Sequence, residues 1–174
     1  MRRGELAGLN WENIDLDNNT LHVKQAVSIA NRKEVVGSPK TEAGIRSIQM
    51  DNHLVAELRR YKLYLQKFFM TTVQFNTGWL FPKLDGESRT PITCWCQRMA
   101  KVFKALDIEH SMHSLRHTHA SNLLMNNYHP VLQLSHRLGH ADPSITLSIY
   151  SHLVEGQELD VNNYLPNIGL KQVN

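Results

Sequence analysis

The sequence predicts an α+β fold, mostly helical, with a small antiparallel sheet of about three strands near the N-terminus. Three observations carry this. Apolar and polar residues alternate in short runs between Thr20 and Met50, as half-buried strands require. From Asp51 onward the apolar residues recur at helical spacing, punctuated by Asp, Pro and Gly where helices start and stop. The chain has 174 residues, 41% hydrophobic and 20% charged, which suits one domain with a real core and no need of a metal or disulfide staple.

The elements follow in order. Arg2-Arg3-Gly4-Glu5-Leu6 leads directly into helix-like sequence. Thr20–Val27 (TLHVKQAV) alternates, Glu34–Gly37 is a short run, and Ile45–Met50 (IRSIQM) alternates again, with turns at Asp17-Asn18-Asn19, Asn31-Arg32 and Glu42-Ala43-Gly44. Asp51 caps a helix reaching about Met70, with Leu54, Leu58, Tyr61 and Leu65 as its buried stripe. Thr90-Pro91 opens a helix to about Leu106, since the missing proline N–H costs nothing in a first turn. A third helix runs from His113 to about Asn126, and Pro130–Leu138 forms a fourth, closed by Gly139. Asp142-Pro143 starts a fifth, with Ile145, Ile149 and Leu153 on one face, and Gln157–Leu165 is a short last one before Pro166.

Composition narrows the function. The formal charge is +3, with 19 Lys/Arg against 16 Asp/Glu, but residues 1–104 hold sixteen basic and ten acidic residues. Residues 105–174 hold three and six, together with eight of the ten histidines. A basic N-terminal part favours a polyanionic partner, although a solvated face carries the same surplus. Cys94 and Cys96, one residue apart, form no disulfide framework, and a reducing cytoplasm is expected. No apolar run has the roughly 18 residues of a membrane span, and no charged-then-apolar leader opens the chain.

Two short patterns carry chemistry. His113-Ser114-Leu115-Arg116 places an imidazole and a guanidinium three apart on a helix, able to converge on one ligand. Arginine's planar fork fits the two non-bridging oxygens of a phosphate, and histidine trades protons near neutrality. Leu138-Gly139-His140 precedes Tyr150 by ten residues, putting a histidine past a helix stop and a tyrosine about two turns into the next helix. Each alone reads as easily as a surface helix and a half-buried anchor.

With Arg2-Arg3-Gly4-Glu5-Leu6, Pro39–Ile48 (PKTEAGIRSI), His113–Ser121 (HSLRHTHAS), His136–His140 (HRLGH) and Ile149–Leu153 (IYSHL), the chain resembles the tyrosine recombinases of the phage-integrase family, over about residues 1–155. The five segments stand in the family's order and at similar separations. The resemblance implies the catalytic-domain fold of that family, and a site of Arg2 (Arg3 the alternative), Lys40 on a hairpin segment, His113, Arg116, His140 and Tyr150, with Glu5 supporting Arg2. Ser114 where the family often has aspartate, and Tyr128-His129-Pro130 in place of a Gly-containing turn, are departures that remove no chemistry.

These residue types suit metal-free cleavage of a DNA phosphodiester, which is mostly positioning and electrostatics. Arg2 and Arg116 would clamp the non-bridging oxygens and His140 would add a third hydrogen bond. Tyr150 would attack, His113 accepting its proton, and Lys40 would protonate the departing 5′ oxygen. The resemblance implies a 3′-phosphotyrosyl link as the product, rejoined without ATP, so no cofactor is expected. No metal is expected either: His113 and His117 have the spacing of a two-histidine site, but an arginine lies between them. Arg98, Lys101 and Lys104, with His110, track the DNA backbone or are simply a solvated face; Trp11, Trp79 and Trp95 read as core. The alternatives are a histidine-rich metal-binding domain and a DNA-binding module without catalysis; type IB topoisomerase chemistry is close, but the spacing from Gly139 to Tyr150 is integrase-like.

By the same resemblance, residues 1–174 are one catalytic domain without the helical core-binding domain that usually precedes it. Weak DNA binding and poor strand exchange are therefore expected of this fragment. The partner would be double-stranded DNA at specific sites, bound by a tetramer, with the fragment alone a monomer or an oligomer that swaps residues 155–174. The expected location is the cytoplasm, on the nucleoid when bound.

Overall fold

The structure, a computed structural model, describes residues 1–70, 78–125 and 130–154, with side chains up to residue 150. Helix α1 (Arg3–Ala7) leads through a 3-10 turn at Trp11–Asn13 into strands β1 (Ile14–Asp15), β2 (Thr20–Val23), β3 (Ala26–Ala30), β4 (Lys33–Gly37) and β5 (Arg46–Gln49). Helices α2 (Asn52–Met70), α3 (Ile92–Ala105), α4 (Met112–Met125), α5 (Val131–Leu138) and α6 (Pro143–Val154) follow. The α+β class read from the sequence is the observed one. The anticipated helix at 157–165 and the tail at 155–174 lie outside the described residues.

The single anticipated sheet is two. β1, β2 and β5 form an antiparallel sheet in that order, while β3 and β4 pair with each other as a separate ribbon. The run Thr20–Val27 breaks after Val23, so β2 pairs with β5, Leu21 opposite Ile48, and β3 pairs with β4, Val27 opposite Val36. β1 is too short to show alternation in the sequence. The ribbon turns through Asn31 and Arg32, both with positive φ (49° and 61°), the two-residue geometry that matches the strands' twist. Glu34 fastens the ribbon to α3: its carboxylate accepts from the Ile92 N–H at 2.9 Å and pairs with Arg89 at 2.6 Å. A helix N-terminus has backbone donors to spare, and Glu34 supplies the acceptor that Pro91, at the cap position, does not.

Three apolar clusters hold the elements. Leu9, Ile14, Leu21, Val23, Met50, Val55 and Leu80 join the sheet to α2, with Trp11 packed against them. Ala7, Val27 and Ile92 join α1, the ribbon and α3, with Trp95 alongside. α1 lies so close to the ribbon that a side chain on Gly4 would collide with the Val27 carbonyl. Ala120, Leu124, Leu134, Leu138 and Tyr150 join α4, α5 and α6.

Two anticipated stripes are corrected. On α2, Leu65 is buried and Leu58 and Tyr61 pack against the core as anticipated, but Leu54 is 43% exposed and Val55 takes its place at the start of the stripe, which runs on to Phe69. On α6, Ile145 and Ile149 are exposed and the buried positions are Thr146 and Tyr150. The helix turns its polar residues inward, where hydrogen bonds await them, and leaves its aliphatic face uncovered.

Candidate active site

The site is organised by the C-terminal end of α5, where carbonyls lack intrahelical partners and the dipole favours positive charge. Three guanidinium groups converge on it. Arg46 Nε donates to the Arg137 carbonyl at 2.8 Å, Arg116 Nη2 to the Leu138 carbonyl at 2.6 Å, and Arg2 Nη2 to the Gly139 carbonyl at 2.9 Å. Gly139 closes the helix in the left-handed conformation (φ 72°), its N–H returning to the Ser135 and His136 carbonyls. A Cβ there would stand 2.7 Å from Arg46 Nη1. Only glycine fits both the turn and the crowding.

Glu5 is the counter-charge. It is 3% exposed and accepts four hydrogen bonds: from the Arg2 backbone N–H (2.8 Å) and Nη1 (3.0 Å), and from Arg46 Nη1 (3.1 Å) and Nη2 (2.9 Å). Burial pushes its carboxyl upward, but the hydrogen bonds from Arg46 and Arg2 outweigh that and hold it below its ordinary 4.5. Of the two N-terminal arginines, the structure ties Arg2 to Glu5 and the α5 turn; Arg3 is exposed. Arg46, named in the sequence only as part of the lysine segment, is as deeply engaged as Arg2. A charged side chain within an alternating strand was the available signal.

Arg116 is buried, and burial together with the nearby Arg2 charge lowers its pKa to about 10. Its Nη2 also reaches His140 Nε2 at 3.1 Å. Arginine can only donate, so Nε2 accepts, and the ring proton sits on Nδ1, facing Thr146 Oγ1 at 2.8 Å. Burial and the positive charges of Arg116, Arg2 and Arg46 push His140 down to about 4, so the imidazole is neutral at pH 7. In this arrangement His140 orients Arg116 instead of presenting an N–H of its own. Arg116 Nη1 is buried with no hydrogen-bond partner among the described residues.

Tyr150, 4% exposed, places its hydroxyl 2.9 Å from His117 Nδ1. Burial raises its pKa, with Arg116 pulling the other way. The expected partner, His113, instead packs edge-on against the His117 ring, centroids 4.7 Å apart. His113 is exposed, and burial and the charges of His117 and Arg116 lower its pKa. It lines a cavity of about 580 Å³ shared with Arg2, Arg3, Cys96, Phe103 and His110. The sequence showed His117 only as half of a two-histidine spacing; which of two imidazoles one turn apart meets the tyrosine depends on how α6 packs on α4.

The remaining candidates stand apart. Lys40 is exposed on the connection between β4 and β5, beyond the hairpin, with no hydrogen bond to a described residue. Arg98, Lys101 and Lys104 are exposed on α3. Cys94 and Cys96 are free thiols. Among the described residues no three His, Cys, Asp or Glu side chains could hold a metal ion, and no helix is long and apolar enough to cross a membrane.

The model of the phage integrase family matches residues 1–156. The chain belongs to this family. Among curated relatives it is 26% identical over 172 residues to the ICEBs1 integrase of Bacillus subtilis (97% of this chain, 46% of that protein). It is 38% identical over 171 residues to transposase A from transposon Tn554 of Staphylococcus aureus (95% and 44%). The chain thus spans about half the length of these family members. Its fold is similar to the Tn1549 transposon integrase in complex with transposon right end DNA (TM-score 0.68, 20% identity, 94% of this chain and 53% of that one). It is also similar to XerA recombinase (TM-score 0.64, 21% identity, 87% and 52%).

Proposed function

We propose that this chain is the catalytic domain of a site-specific DNA recombinase, an integrase that cuts and rejoins strands through a 3′-phosphotyrosyl link without metal or ATP. The observation that carries the reading is a buried guanidinium N–H on Arg116, unpaired among the described residues, next in sequence to the imidazole that holds the buried Tyr150 hydroxyl. An unsatisfied buried donor is costly, and an anionic oxygen satisfies it. Arg2 and Arg116 clamp the non-bridging oxygens of the scissile phosphate, with His140 holding Arg116, and Glu5, itself held by Arg46, holding Arg2. Tyr150 attacks phosphorus, and the imidazole pair on α4 receives its proton. Lys40 swings in on its exposed loop to protonate the 5′ oxygen as it leaves. Cation donors placed beforehand at a shielded site stabilise the charge spread over the phosphate in the transition state.

The partner is double-stranded DNA at specific sites, engaged by four copies in a cytoplasmic, nucleoid-bound assembly. The exposed Arg98, Lys101 and Lys104 of α3 lie along the backbone, and residues 155–174 are the segment exchanged between copies. A duplex nicked near the scissile phosphate traps the covalent step, because the short fragment beyond the cut diffuses away. Incubation with such duplexes should give an SDS-resistant adduct that maps to Tyr150, persists in EDTA and is lost in Tyr150→Phe. An adduct elsewhere, or one abolished by the chelator, refutes the reading and favours the metal-site alternative.

A further inference from the structure

We propose that His117, and not His113, is the catalytic base that takes the proton of Tyr150; the inference rests on the recombinase reading above. The phenol is 4% exposed and its hydroxyl has one hydrogen-bond partner among the described residues, His117 Nδ1 at 2.9 Å. The O–H has to donate somewhere, and Nδ1 is the acceptor within reach when the ring proton is on Nε2. A base must stand within hydrogen-bond distance of the proton it removes, and His117 alone of the α4 histidines does. His113 lies one turn earlier, exposed, its ring edge-on to that of His117.

The step balances. The Tyr150 O–H proton passes to His117 Nδ1 as the phenolic oxygen bonds to phosphorus. The bond from phosphorus to the 5′ oxygen breaks, and that oxygen takes its proton from Lys40. On religation the incoming 5′-hydroxyl returns its proton to the Lys40 amine as its oxygen bonds to phosphorus, and the displaced phenolic oxygen recovers its proton from the His117 imidazolium. The groups that face this exchange are Arg116 from α4, whose charge favours phenolate and opposes imidazolium, His113 from the preceding turn, and His140 from the α5–α6 turn, bonded to Arg116. A positive charge newly placed on His117 leans on His113, which is exposed and shares the charge with solvent.

The test uses a pool of randomised nicked duplexes, selected once on the wild-type protein for adduct formation and then used in single-turnover assays. His117→Gln should slow adduct formation about 10²–10⁴-fold, the range of general-base contributions. His113→Gln should be slowed much less. His117→Gly should recover with added imidazole, an outcome that needs an intact fold and a cavity in the right place. A substrate with sulfur in place of the 5′-bridging oxygen, whose leaving group needs no proton, should restore Lys40→Ala but not His117→Gln. A wild-type-like rate in His117→Gln, or a larger loss in His113→Gln than in His117→Gln, overturns the assignment and leaves the recombinase reading standing. Absence of any wild-type adduct overturns both.

Discussion

Replacing Glu5 with glutamine keeps the side chain's shape and removes the negative charge that Arg2 and Arg46 both pair with. Removing one partner of a buried ion pair costs about 3–5 kcal/mol, mostly for the charge left behind. That charge here is Arg46, whose side chain is 7% exposed, at 2.9 Å from the carboxylate. Arg2 is 44% exposed, so its share is screened to about 0–1 kcal/mol. The glutamine carbonyl still accepts, returning about 1 kcal/mol. Glu5→Gln should therefore lose roughly 3 kcal/mol at pH 7, or roughly 6–12 °C in Tm for a domain of this size. The pH dependence has a definite sign. Because the folded-state carboxyl lies below its ordinary 4.5, the stabilisation is complete above that value and fades as pH falls through the folded-state pKa. Wild-type and variant curves should converge in acid. Calorimetry across pH decides it: a loss under about 1 kcal/mol at pH 7, or an unchanged gap in acid, refutes the counter-charge argument.

The other expectations are shorter. Gly139→Ala combines a left-handed φ with a Cβ against Arg46, and should cost at least ~2 kcal/mol in urea unfolding while slowing adduct formation by displacing Arg46. Arg32→Gly relieves a positive φ in an exposed two-residue turn and should gain about 1 kcal/mol in the same assay, without change in catalysis. His140 is lowered to about 4 from 6.5, so the unfolded chain binds the extra proton between those values and stability rises with pH across that window. His140→Asn should flatten that part of the curve, which lies mostly above the Glu5 window.

The helices were legible because their ends are written locally. Asp51 accepts the Leu54 N–H and Asp142 the Ser144 N–H, and Gly139 takes the left-handed turn that ends α5. Strand pairing was less so: nothing within Thr20–Val27 says that its two halves belong to different sheets, since pairing is a long-range choice. The stripe on α6 slipped by one residue, and that on α2 at its first position alone, for the same reason. An apolar residue can sit on either side of a helix's true contact line, and the neighbour it meets decides.

The site divides along that line too. The five short segments, in order and at their separations, carried the resemblance to the phage-integrase family, and the guanidinium, imidazole, ammonium and phenol groups they hold suit the phosphoryl transfer proposed above. Only the tertiary structure decided the partnerships: Arg46 with Glu5, His140 with Arg116, and His117 with the Tyr150 hydroxyl. Spacing fixes which side chains share a helix face. Hydrogen bonds at 3 Å between helices depend on packing angle and rotation about the helix axis, which no single segment contains.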